Sequence, residues 1–419
     1  MFIIYDIIFV FFAILYFPYL IVRGKWHSGF KMRFGCLGDA LGRKLEGSDR
    51  IWIHAVSVGE VLAVADLLRK VKEEFPQHTI VCSTVTKTGN QLAKEQLGDD
   101  CIVIYAPLDF SWIVRKFITM IKPVLYISTE TEIWPNLYTA LHKNGVPILQ
   151  INGRISDKAF AGYSRVRFLM KRVLACVDLF CMQSSLDAQR IEQLGAAPEK
   201  IRVVGNLKFD NISEAVEIQK KDLGFEDHEA LLIAGSTHPG EEEILIDAYR
   251  ELVAEFPDLR LVLAPRHIER ADAVVDLVQR QGYHPIRFSE IKERKGDVQS
   301  VVVVDTIGHL RDLYSLASVV FIGKSLTVGG GQNMIESACF GKPTIVGPMT
   351  QNFKDAVSIF LKADALVQVK DSQELLTEAL RLLSYPERAQ EIGEAARRTV
   401  EQYQGATVKT LAAIRQRLA

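Results

Sequence analysis

Short runs of β-branched and aliphatic residues alternate with longer stretches of helical periodicity over most of this chain. The runs lie at residues 51–55, 79–83, 101–106, 124–128, 147–151, 179–182 and 201–204, and again at 231–234, 259–264, 300–304, 319–322 and 344–346. Helical stretches such as 58–74, 110–121 and 185–194 separate them. Strands that are apolar on both faces and alternate with helices form parallel sheets covered by helices on each side. The sequence therefore predicts an α/β fold with two Rossmann-like, doubly wound domains.

The boundary between the two halves falls at residues 211–229, a polar, acid-rich stretch without a strand pattern. It separates an N-terminal domain at 23–210 from a C-terminal domain at 230–385, and each is long enough to bury its own core. Residues 386–419 predict a helical segment that could pack back on the N-terminal domain. Because ligands of such sheets bind at the carboxyl ends of the strands, we expect the active site in a central cleft between the domains.

Charge and cysteine content exclude several classes of protein. Lys and Arg total 50 against 51 for Asp and Glu, so the net charge is -1 and no global basic field favours nucleic acid. The six cysteines are scattered and form no C-x-x-C pair. This usage is typical of free thiols in a reducing compartment and gives no support for a structural zinc site.

The N-terminus is the strongest compositional anomaly, because residues 2–22 are apolar or aromatic except for Asp6 and Pro18. As a helix this stretch would reach roughly 30 Å, the thickness of a bilayer's hydrocarbon core. It is too long for the apolar region of a signal peptide, so we expect a retained membrane anchor at residues 1–22. The basic residues that follow it predict that the rest of the chain lies on the cytoplasmic side. A buried amphipathic hairpin, or a helix lying on the membrane, is the alternative.

Familiar nucleotide and metal motifs fail in this sequence. A Walker A loop would need glycine at position 318, where the chain has Ser318, before Gly323-Lys324-Ser325. The dinucleotide pattern G-x-G-x-x-G fails at Met334. The sequence also contains no H-E-x-x-H motif, no D-x-D pair and no G-x-S-x-G motif. We therefore predict neither a nicotinamide cofactor nor a metal ion.

Two acidic segments follow strands of the first half. Glu60 stands three residues after Ser57, and this spacing is typical of a capping box at a helix start. In the alternative interpretation, Glu60 lies at the mouth of a cleft and is itself the general base. Glu130 and Glu132 lie in a strand-to-helix turn, where carboxylates are placed to make catalytic contacts or contacts to sugar hydroxyls. In the alternative interpretation, Thr131 or Glu132 is a helix cap and Trp134 is a core anchor.

Other polar segments also follow strands. Arg154 and Lys208 add cations to the edge of the first sheet, with ordinary surface charge as the alternative for each. In the second half, three acids follow the loop at residues 235–240, so its amides are an ambiguous anion site. Arg266, just past a strand, is suited to a phosphate or a base edge, or is simply exposed.

A glycine triplet in the second half is the sharpest single segment. Gly329-Gly330-Gly331 precedes Asn333 and a helix whose first turn contains Glu336. Such a loop lets the backbone close on a ligand, and the carboxylate can accept hydrogen bonds from ribose hydroxyls. A plain glycine-rich turn is the alternative.

Together and in this order, seven motifs resemble those of the 3-deoxy-D-manno-octulosonic acid (Kdo) transferases of lipopolysaccharide synthesis. The motifs are Ser57-Val58-Gly59-Glu60, Glu130-Thr131-Glu132-Ile133-Trp134-Pro135-Asn136, Asn152-Gly153-Arg154, Gly205-Asn206-Leu207-Lys208-Phe209-Asp210, Ala234-Gly235-Ser236-Thr237-His238, Pro265-Arg266-His267 and Gly330-Gly331-Gln332-Asn333-x-x-Glu336. The resemblance covers nearly the whole chain. Each motif alone is modest, but their joint order is specific.

The resemblance implies a GT-B glycosyltransferase that takes Kdo from CMP-Kdo and places it on the lipid A precursor lipid IVA. The implied partners are CMP-Kdo, lipid IVA and the lipids of the bacterial inner membrane, at its cytoplasmic face, with no nucleic acid, cofactor or metal. Glu60 matches the catalytic base, and Glu130 and Lys208 match positions associated with transition-state stabilisation. The N-terminal domain then binds the acceptor and the C-terminal domain holds CMP. The CMP-binding positions are Pro265, Arg266, Ile307, Gly308, His309, Gly330, Gly331, Asn333 and Glu336.

The sequence departs from the family pattern at Lys324, where a glycine is common, and at His309, where a glutamate is common. Both changes add or preserve positive potential near the expected donor phosphate. Two other functions compete with the transferase: a GT-B-fold sugar-nucleotide epimerase, and a non-catalytic protein that binds a sugar nucleotide or a lipid. The apolar N-terminus argues against the epimerase.

Overall fold

The computed structural model describes residues 5–7, 9–11, 29–36, 38–45, 47, 49–210, 218–293 and 300–418. The chain divides into two compact units. Unit 1 comprises Met1–Asn211 with Gln404–Ala419, and unit 2 comprises Ile212–Tyr403. Of the predicted linker at 211–229, residues 211–217 lie outside the described part of the chain.

Unit 1 is built on a seven-stranded parallel sheet. Its strands are β1 (Arg50–His54), β2 (Thr79–Thr84), β3 (Cys101–Tyr105), β4 (Pro123–Thr129), β5 (Ile148–Gly153), β6 (Leu179–Met182) and β7 (Ile201–Val203). Its helices before and between them are α1 (Phe30–Arg33), α2 (Asp39–Lys44), α3 (Val58–Glu74), α4 (Lys87–Leu97), α5 (Ser111–Ile121), α6 (Pro135–Lys143), α7 (Asp157–Arg165), α8 (Arg167–Leu174) and α9 (Ser185–Leu194). Short 3-10 turns occupy Pro198–Lys200 and Leu207–Phe209.

The order of strands in this sheet, β3-β2-β1-β4-β5-β6-β7, places a switch point between β1 and β4. The chain moves outward from β1 to β3 and then returns to β4 on the other side of β1. The loops after β1 and β4 therefore diverge, which leaves room for a ligand at the carboxyl ends of these strands. Alternate side chains of β1 enter separate cores, with Trp52 on one face and Ile51 and Ile53 on the other.

Unit 2 repeats this architecture with strands β8 (Ala230–Thr237), β9 (Leu259–Pro265), β10 (His284–Arg287), β11 (Ser300–Val303), β12 (Val319–Ile322), β13 (Thr344–Val346) and β14 (Val367–Gln368). The helices are α10 (Glu241–Glu255), α11 (Ala271–Arg280), α12 (Leu310–Leu316), α13 (Ile335–Cys339), α14 (Lys354–Lys362), α15 (Ser372–Ser384) and α16 (Pro386–Tyr403), with 3-10 turns at Lys220–Leu223, Ile268–Arg270, Phe288–Glu293 and Gln351–Phe353. The strand order is β10-β11-β9-β8-β12-β13-β14, all parallel, so the switch point lies between β8 and β12.

Two parallel doubly wound sheets confirm the predicted fold class. The predicted strands all form, while β10 and β14 were not predicted. The tail forms two helices: α16 belongs to unit 2, and α17 (Ala406–Leu418) packs in unit 1 against α3.

The predicted anchor at residues 1–22 lies largely outside the described residues, of which 5–7 and 9–11 are helical. Asp6 accepts hydrogen bonds from the Ser111 amide at 3.2 Å and from Asn136 Nδ2 at 2.7 Å. Phe9 packs edge-on against Phe110, with ring centroids 4.8 Å apart. Among the described residues, no helix has both the length and the apolar character needed to cross a membrane.

Candidate functional site

Glu60 lies in the first turn of α3, at the switch point of the first sheet. Its Oε2 accepts hydrogen bonds from the Val56 amide at 2.9 Å and from Thr129 Oγ1 at 2.8 Å, and its Oε1 accepts one from Ser57 Oγ at 3.0 Å. Only 7% of the residue is exposed. Two donors from the loop after β1 and one from the last residue of β4 therefore fix this carboxylate between the two strands.

The capping-box interpretation of Ser57 and Glu60 is wrong. Ser57 is the N-cap residue, but its hydroxyl donates to the Glu60 carboxylate and accepts no hydrogen bond from a helix amide. Glu60 bonds the amide of Val56, one residue before the cap. The reason is tertiary: Thr129 on β4 offers a further donor, and the glutamate side chain turns toward it.

The surroundings of Glu60 shift its pKa upward. Burial raises the pKa of Glu60, and repulsion from the Glu130 carboxylate raises it further, while the three hydrogen bonds oppose the shift. Burial also raises the pKa of Glu132, to about 7, with repulsion from Glu60 as the next cause. A carboxyl with a raised pKa at a sheet switch point is suited to general acid–base chemistry.

Glu130 and Lys208 form an ion pair at the same edge of the sheet, with Lys208 Nζ 3.6 Å from Glu130 Oε1. Glu130 has a φ of 50°, which an L-residue adopts only under constraint. Its amide donates to Ile151 O at 3.0 Å, and Gln150 Nε2 donates to its carbonyl at 2.5 Å. Strand β5 thus holds the acidic partner in place.

The loop that carries Lys208 is tied to three further side chains. Asn206 Oδ1 accepts from the Lys208 amide at 3.0 Å, and Asn152 Oδ1 accepts from the Leu207 amide at 3.1 Å. Asp210 accepts hydrogen bonds from the amides of Gly405 and Thr407, at the start of α17. The C-terminal helix therefore supports the loop that positions Lys208. Arg154 follows β5 at this edge and is half-buried.

The prediction that Thr131 or Glu132 caps the next helix is wrong. Helix α6 begins at Pro135, and the Asp109 carboxylate caps it by accepting from the amides of Asn136 at 3.1 Å and Leu137 at 2.9 Å. Asp109 belongs to the loop after β3, so no local pattern could reveal this cap. Trp134, the alternative core anchor, does pack against the apolar core of unit 1.

In unit 2, the amides at the switch point are occupied by the protein's own Glu241. This fully buried carboxylate accepts from His238 N at 2.9 Å, Lys324 N at 2.8 Å, Ser325 N at 2.9 Å and Leu326 N at 3.0 Å. The ambiguity of the 235–240 loop is thereby resolved, because the acid at the helix start fills the anion-binding amides. Lys324 itself has a φ of 57° at this turn.

The glycine triplet packs tightly against its own unit. Gly330 and Gly331 have φ values of 131° and 72°. A Cβ on Gly330 would lie 2.7 Å from Asn352 Nδ2, and one on Gly331 would lie 3.1 Å from Thr350 Cα. The Gly331 amide donates to Lys324 O at 2.7 Å. Backbone conformation and close packing are thus sufficient reasons for glycine at both positions.

Asn333 and Glu336 form a polar pair beside this turn. Asn333 Oδ1 accepts from the Ile335 amide at 3.1 Å, and its Nδ2 donates to Glu336 Oε1 at 3.0 Å. Burial raises the pKa of Glu336, and the charges of Arg311 and Arg266 oppose the shift. Helix α13 has only 5 residues, so the expected helix-dipole contribution to phosphate binding is small.

The remaining residues that were predicted to bind CMP lie at or after the carboxyl ends of β9 and β11. Pro265 ends β9, and Arg266 after it is exposed while its amide donates to Thr237 O at 3.0 Å. Ile307 is 84% exposed, and Gly308 has a φ of 101°. The ring of His309 lies 5.2 Å from that of Phe288. These residues leave an apolar side chain and a cation accessible at one edge of the second sheet.

Sequence reasoning did not identify Thr129 or Asp109 as important, and it placed Glu241 at a helix start without its contacts to residues 324–326. Each acts through a partner distant in sequence, so only the strand order reveals its contact. In the described part of the chain no group of three or more His, Cys, Asp or Glu side chains is arranged to hold a metal ion.

Comparison with a solved structure identifies the class of fold. A glycosyltransferase from Rickettsia africae is similar with a TM-score of 0.56 at 13% identity, over 89% of this chain and 99% of that one. At this identity the likeness shows only the fold, which is GT-B-like.

Sequence comparison identifies the family. Residues 28–211 match the family described as 3-deoxy-D-manno-octulosonic-acid transferase. A 3-deoxy-D-manno-octulosonic acid transferase of Haemophilus influenzae is 31% identical, over 90% of this chain and 89% of the relative. Another, of Bordetella pertussis, is 32% identical over 93% and 92%. The chain belongs to the Kdo transferase family and is a glycosyltransferase.

Proposed function

We propose that this protein transfers Kdo from CMP-Kdo to the lipid A precursor lipid IVA, with inversion at the anomeric carbon and with Glu60 as general base. The observation that carries the proposal is the buried Glu60 carboxyl, with its raised pKa, at the switch point of the first sheet. It lies in a chain of the Kdo transferase family and close enough to Glu130 for their charges to interact.

The reaction forms one C–O bond and breaks another. An acceptor hydroxyl attacks the anomeric carbon of Kdo on the face opposite CMP, and its proton passes to Glu60. The bond to the phosphate oxygen breaks, and CMP leaves as a monophosphate. Glu130 and Lys208 stabilise the charge that develops in the oxocarbenium-like transition state. A monophosphate leaving group needs no metal ion, and the arginine at the end of β9 supplies positive charge instead.

Unit 2 holds the donor in this proposal. Arg266 contacts the phosphate, Ile307 and the residues after it contact the cytosine ring, and Glu336 accepts from the ribose hydroxyls. Support comes from the exposure of Arg266 and Ile307 and from the polar pair of Asn333 with Glu336. Gly330 and the following glycine shape the turn beside them.

The acceptor is an amphiphile, so we place the enzyme at the cytoplasmic face of the inner membrane. The apolar composition of residues 2–22 and the basic residues after them support attachment there. Identity of 31–32% to Kdo transferases over at least 90% of the chain supports the transferase over the epimerase and the non-catalytic binding protein.

The test is Glu60→Gln, assayed with CMP-Kdo and lipid IVA by mass spectrometry of the lipid product. We expect turnover to fall by ~10² or more, because loss of a general base costs about 10²- to 10⁴-fold. Glu73→Gln, an exposed glutamate on the same helix, is the matched control and should retain full activity. A Glu60→Gln enzyme as active as the control would refute the assignment of the base.

A further inference from the structure

Thr129, the last residue of β4, places one hydroxyl between two oxygen atoms. Its Oγ1 is 2.8 Å from Glu60 Oε2 and 2.8 Å from the carbonyl oxygen of His54 on β1. The residue is only 1% exposed. A hydroxyl carries one proton, so it cannot donate fully to both oxygens at the same time.

The two acceptors differ in what they can do. The His54 carbonyl can only accept, whereas the Glu60 carboxyl accepts when ionised and donates when protonated. With Glu60 ionised, Thr129 donates to the carboxylate. With Glu60 protonated, the carboxyl donates to Thr129 Oγ1, and the threonine proton turns to His54. Either arrangement keeps the buried hydroxyl and the carboxyl hydrogen-bonded to each other.

Ser57, the other hydroxyl at this carboxyl, differs from Thr129. Within the described residues, Ser57 Oγ makes its hydrogen bond to Glu60 Oε1 and is not fixed to a second acceptor. The Val56 amide can only donate, so it favours the ionised form alone. Thr129 therefore differs from both neighbours, because its hydroxyl can bond either the ionised or the protonated Glu60 carboxyl while the His54 carbonyl holds it in place.

We infer that Thr129 is a positioning residue that stabilises both protonation states of Glu60, so that the base can take the acceptor's proton and release it in each turnover. This inference rests on the proposed role of Glu60 as general base. Thr129 exchanges no covalent bond: the proton from the acceptor goes to Glu60, and the threonine hydroxyl only turns between two acceptors.

Several charged and titratable groups near Glu60 also bear on how the site responds to pH. Glu130 repels the Glu60 carboxylate, and Glu60 in turn raises the pKa of Glu132. Lys208 is paired with Glu130. Burial lowers the pKa of His54 to about 4, so its ring is neutral near pH 7. Replacement of Thr129 leaves these groups in place, so a change in the pH dependence of the reaction rate would report the loss of the Thr129 hydroxyl.

The direction of the expected change follows from the hydrogen bond. The Thr129 hydroxyl lowers the pKa of Glu60, because a hydrogen bond to a carboxylate is stronger than one to a neutral acid. Thr129→Val keeps the shape of the side chain and removes this bond, so the pKa of Glu60 rises. Since Glu60 must be ionised to act as a base, the acidic limb of the pH–rate profile moves to higher pH.

The experiment compares Thr129→Val and Thr129→Ser in the full-length enzyme. It measures kcat/KM for CMP-Kdo and the lipid acceptor between about pH 5 and 9. We expect Thr129→Val to move the acidic limb upward by about half a pH unit or more and to lower the plateau roughly tenfold. Thr129→Ser should reproduce the wild-type profile. The control is Thr410→Val, because Thr410 is fully buried in unit 1 and its Oγ1 has no hydrogen-bond partner among the residues that the structure describes.

Two results would overturn the inference. One is a Thr129→Val profile that matches wild type. The other is a lower plateau with no shift of the limb and no recovery in Thr129→Ser, which would indicate a packing role. If Thr129→Val does not fold, Thr129→Ala provides the same comparison of limb positions. Glu60→Gln separates the two proposals: full activity of that variant refutes the base, whereas an inactive Glu60→Gln with an unshifted Thr129→Val refutes only the role of Thr129.

Discussion

Substitution of Glu241 by glutamine tests whether this carboxylate holds the switch point of the second sheet together. Each carboxylate oxygen accepts two backbone amides: Oε2 accepts those of His238 and Lys324, and Oε1 accepts those of Ser325 and Leu326. Glutamine has nearly the same shape, but one oxygen becomes an NH₂ group that can only donate. Two buried amides would then lose their acceptor and face another donor.

The expected loss is large because the site is fully buried. A buried donor without an acceptor costs roughly 1–3 kcal/mol, so two of them cost about 4 kcal/mol. For a unit of this size, 1 kcal/mol shifts the melting temperature by roughly 2–4 °C. We therefore expect Glu241→Gln to lower the melting temperature of unit 2 by roughly 8–16 °C, measured by differential scanning calorimetry of the full chain.

Glu243→Gln is the matched control, since Glu243 lies in the first turn of the same helix and is exposed. Both substitutions remove one negative charge from the start of α10, so a pure helix-dipole effect would be similar in the two variants. Glu241 holds the backbone of Lys324, and the Lys324 carbonyl in turn accepts the amide of Gly331 in the proposed CMP site. CMP affinity, measured by calorimetry, should therefore fall only in Glu241→Gln. Equal melting temperatures for the two variants would refute the reasoning.

Two further substitutions test supports of the site. Asp210→Asn removes the charge that two backbone amides at the start of α17 contact, so we expect a loss of about 1 kcal/mol in urea denaturation and a lower turnover. Exposed Asp99→Asn is its control, and the same urea midpoint for both would contradict the capping role. A Cβ on Gly235 would lie 1.7 Å from the Tyr314 hydroxyl, so Gly235→Ala should destabilise unit 2 by about 1–3 kcal/mol. Tyr314→Phe in that background should recover part of the loss, and a fully stable Gly235→Ala would rule out the close contact.

The sequence was most informative for the strands that are buried on both faces of a sheet. Apolar runs predicted strands such as β6 and β12 at their observed bounds, because strands buried on both faces are continuously apolar. It failed for β10, His284–Arg287, which contains a proline and only one aliphatic residue, and for β14, which has two residues. Both strands lie at edges of the sheet, where burial imposes less of a pattern.

The candidate site was predictable in its position but not in its contacts. Glu60, Glu130 and Lys208 all follow strands of one parallel sheet. Because the carboxyl ends of parallel strands lie at the same edge of a sheet, the sequence was enough to place the three residues at a common edge. The partners of these residues come from strands far apart in sequence. Thr129 meets Glu60 across 69 residues, and such a contact depends on which strands become neighbours.

Each unit has a glutamate at the same place in its topology, but the two glutamates have different kinds of hydrogen-bond partner. Gly59-Glu60 follows the first strand of unit 1, and Gly240-Glu241 follows the first strand of unit 2. Glu241 is surrounded by four backbone amides, and a backbone amide can only donate a hydrogen bond. Glu60 has one amide and two hydroxyls, and a hydroxyl can donate to a carboxylate or accept from a carboxylic acid. The first set of partners suits a structural tie, and the second suits a group that changes its protonation state during a reaction. The chemistry of the donors, more than the position of the glutamate, therefore separates the proposed base from its structural counterpart.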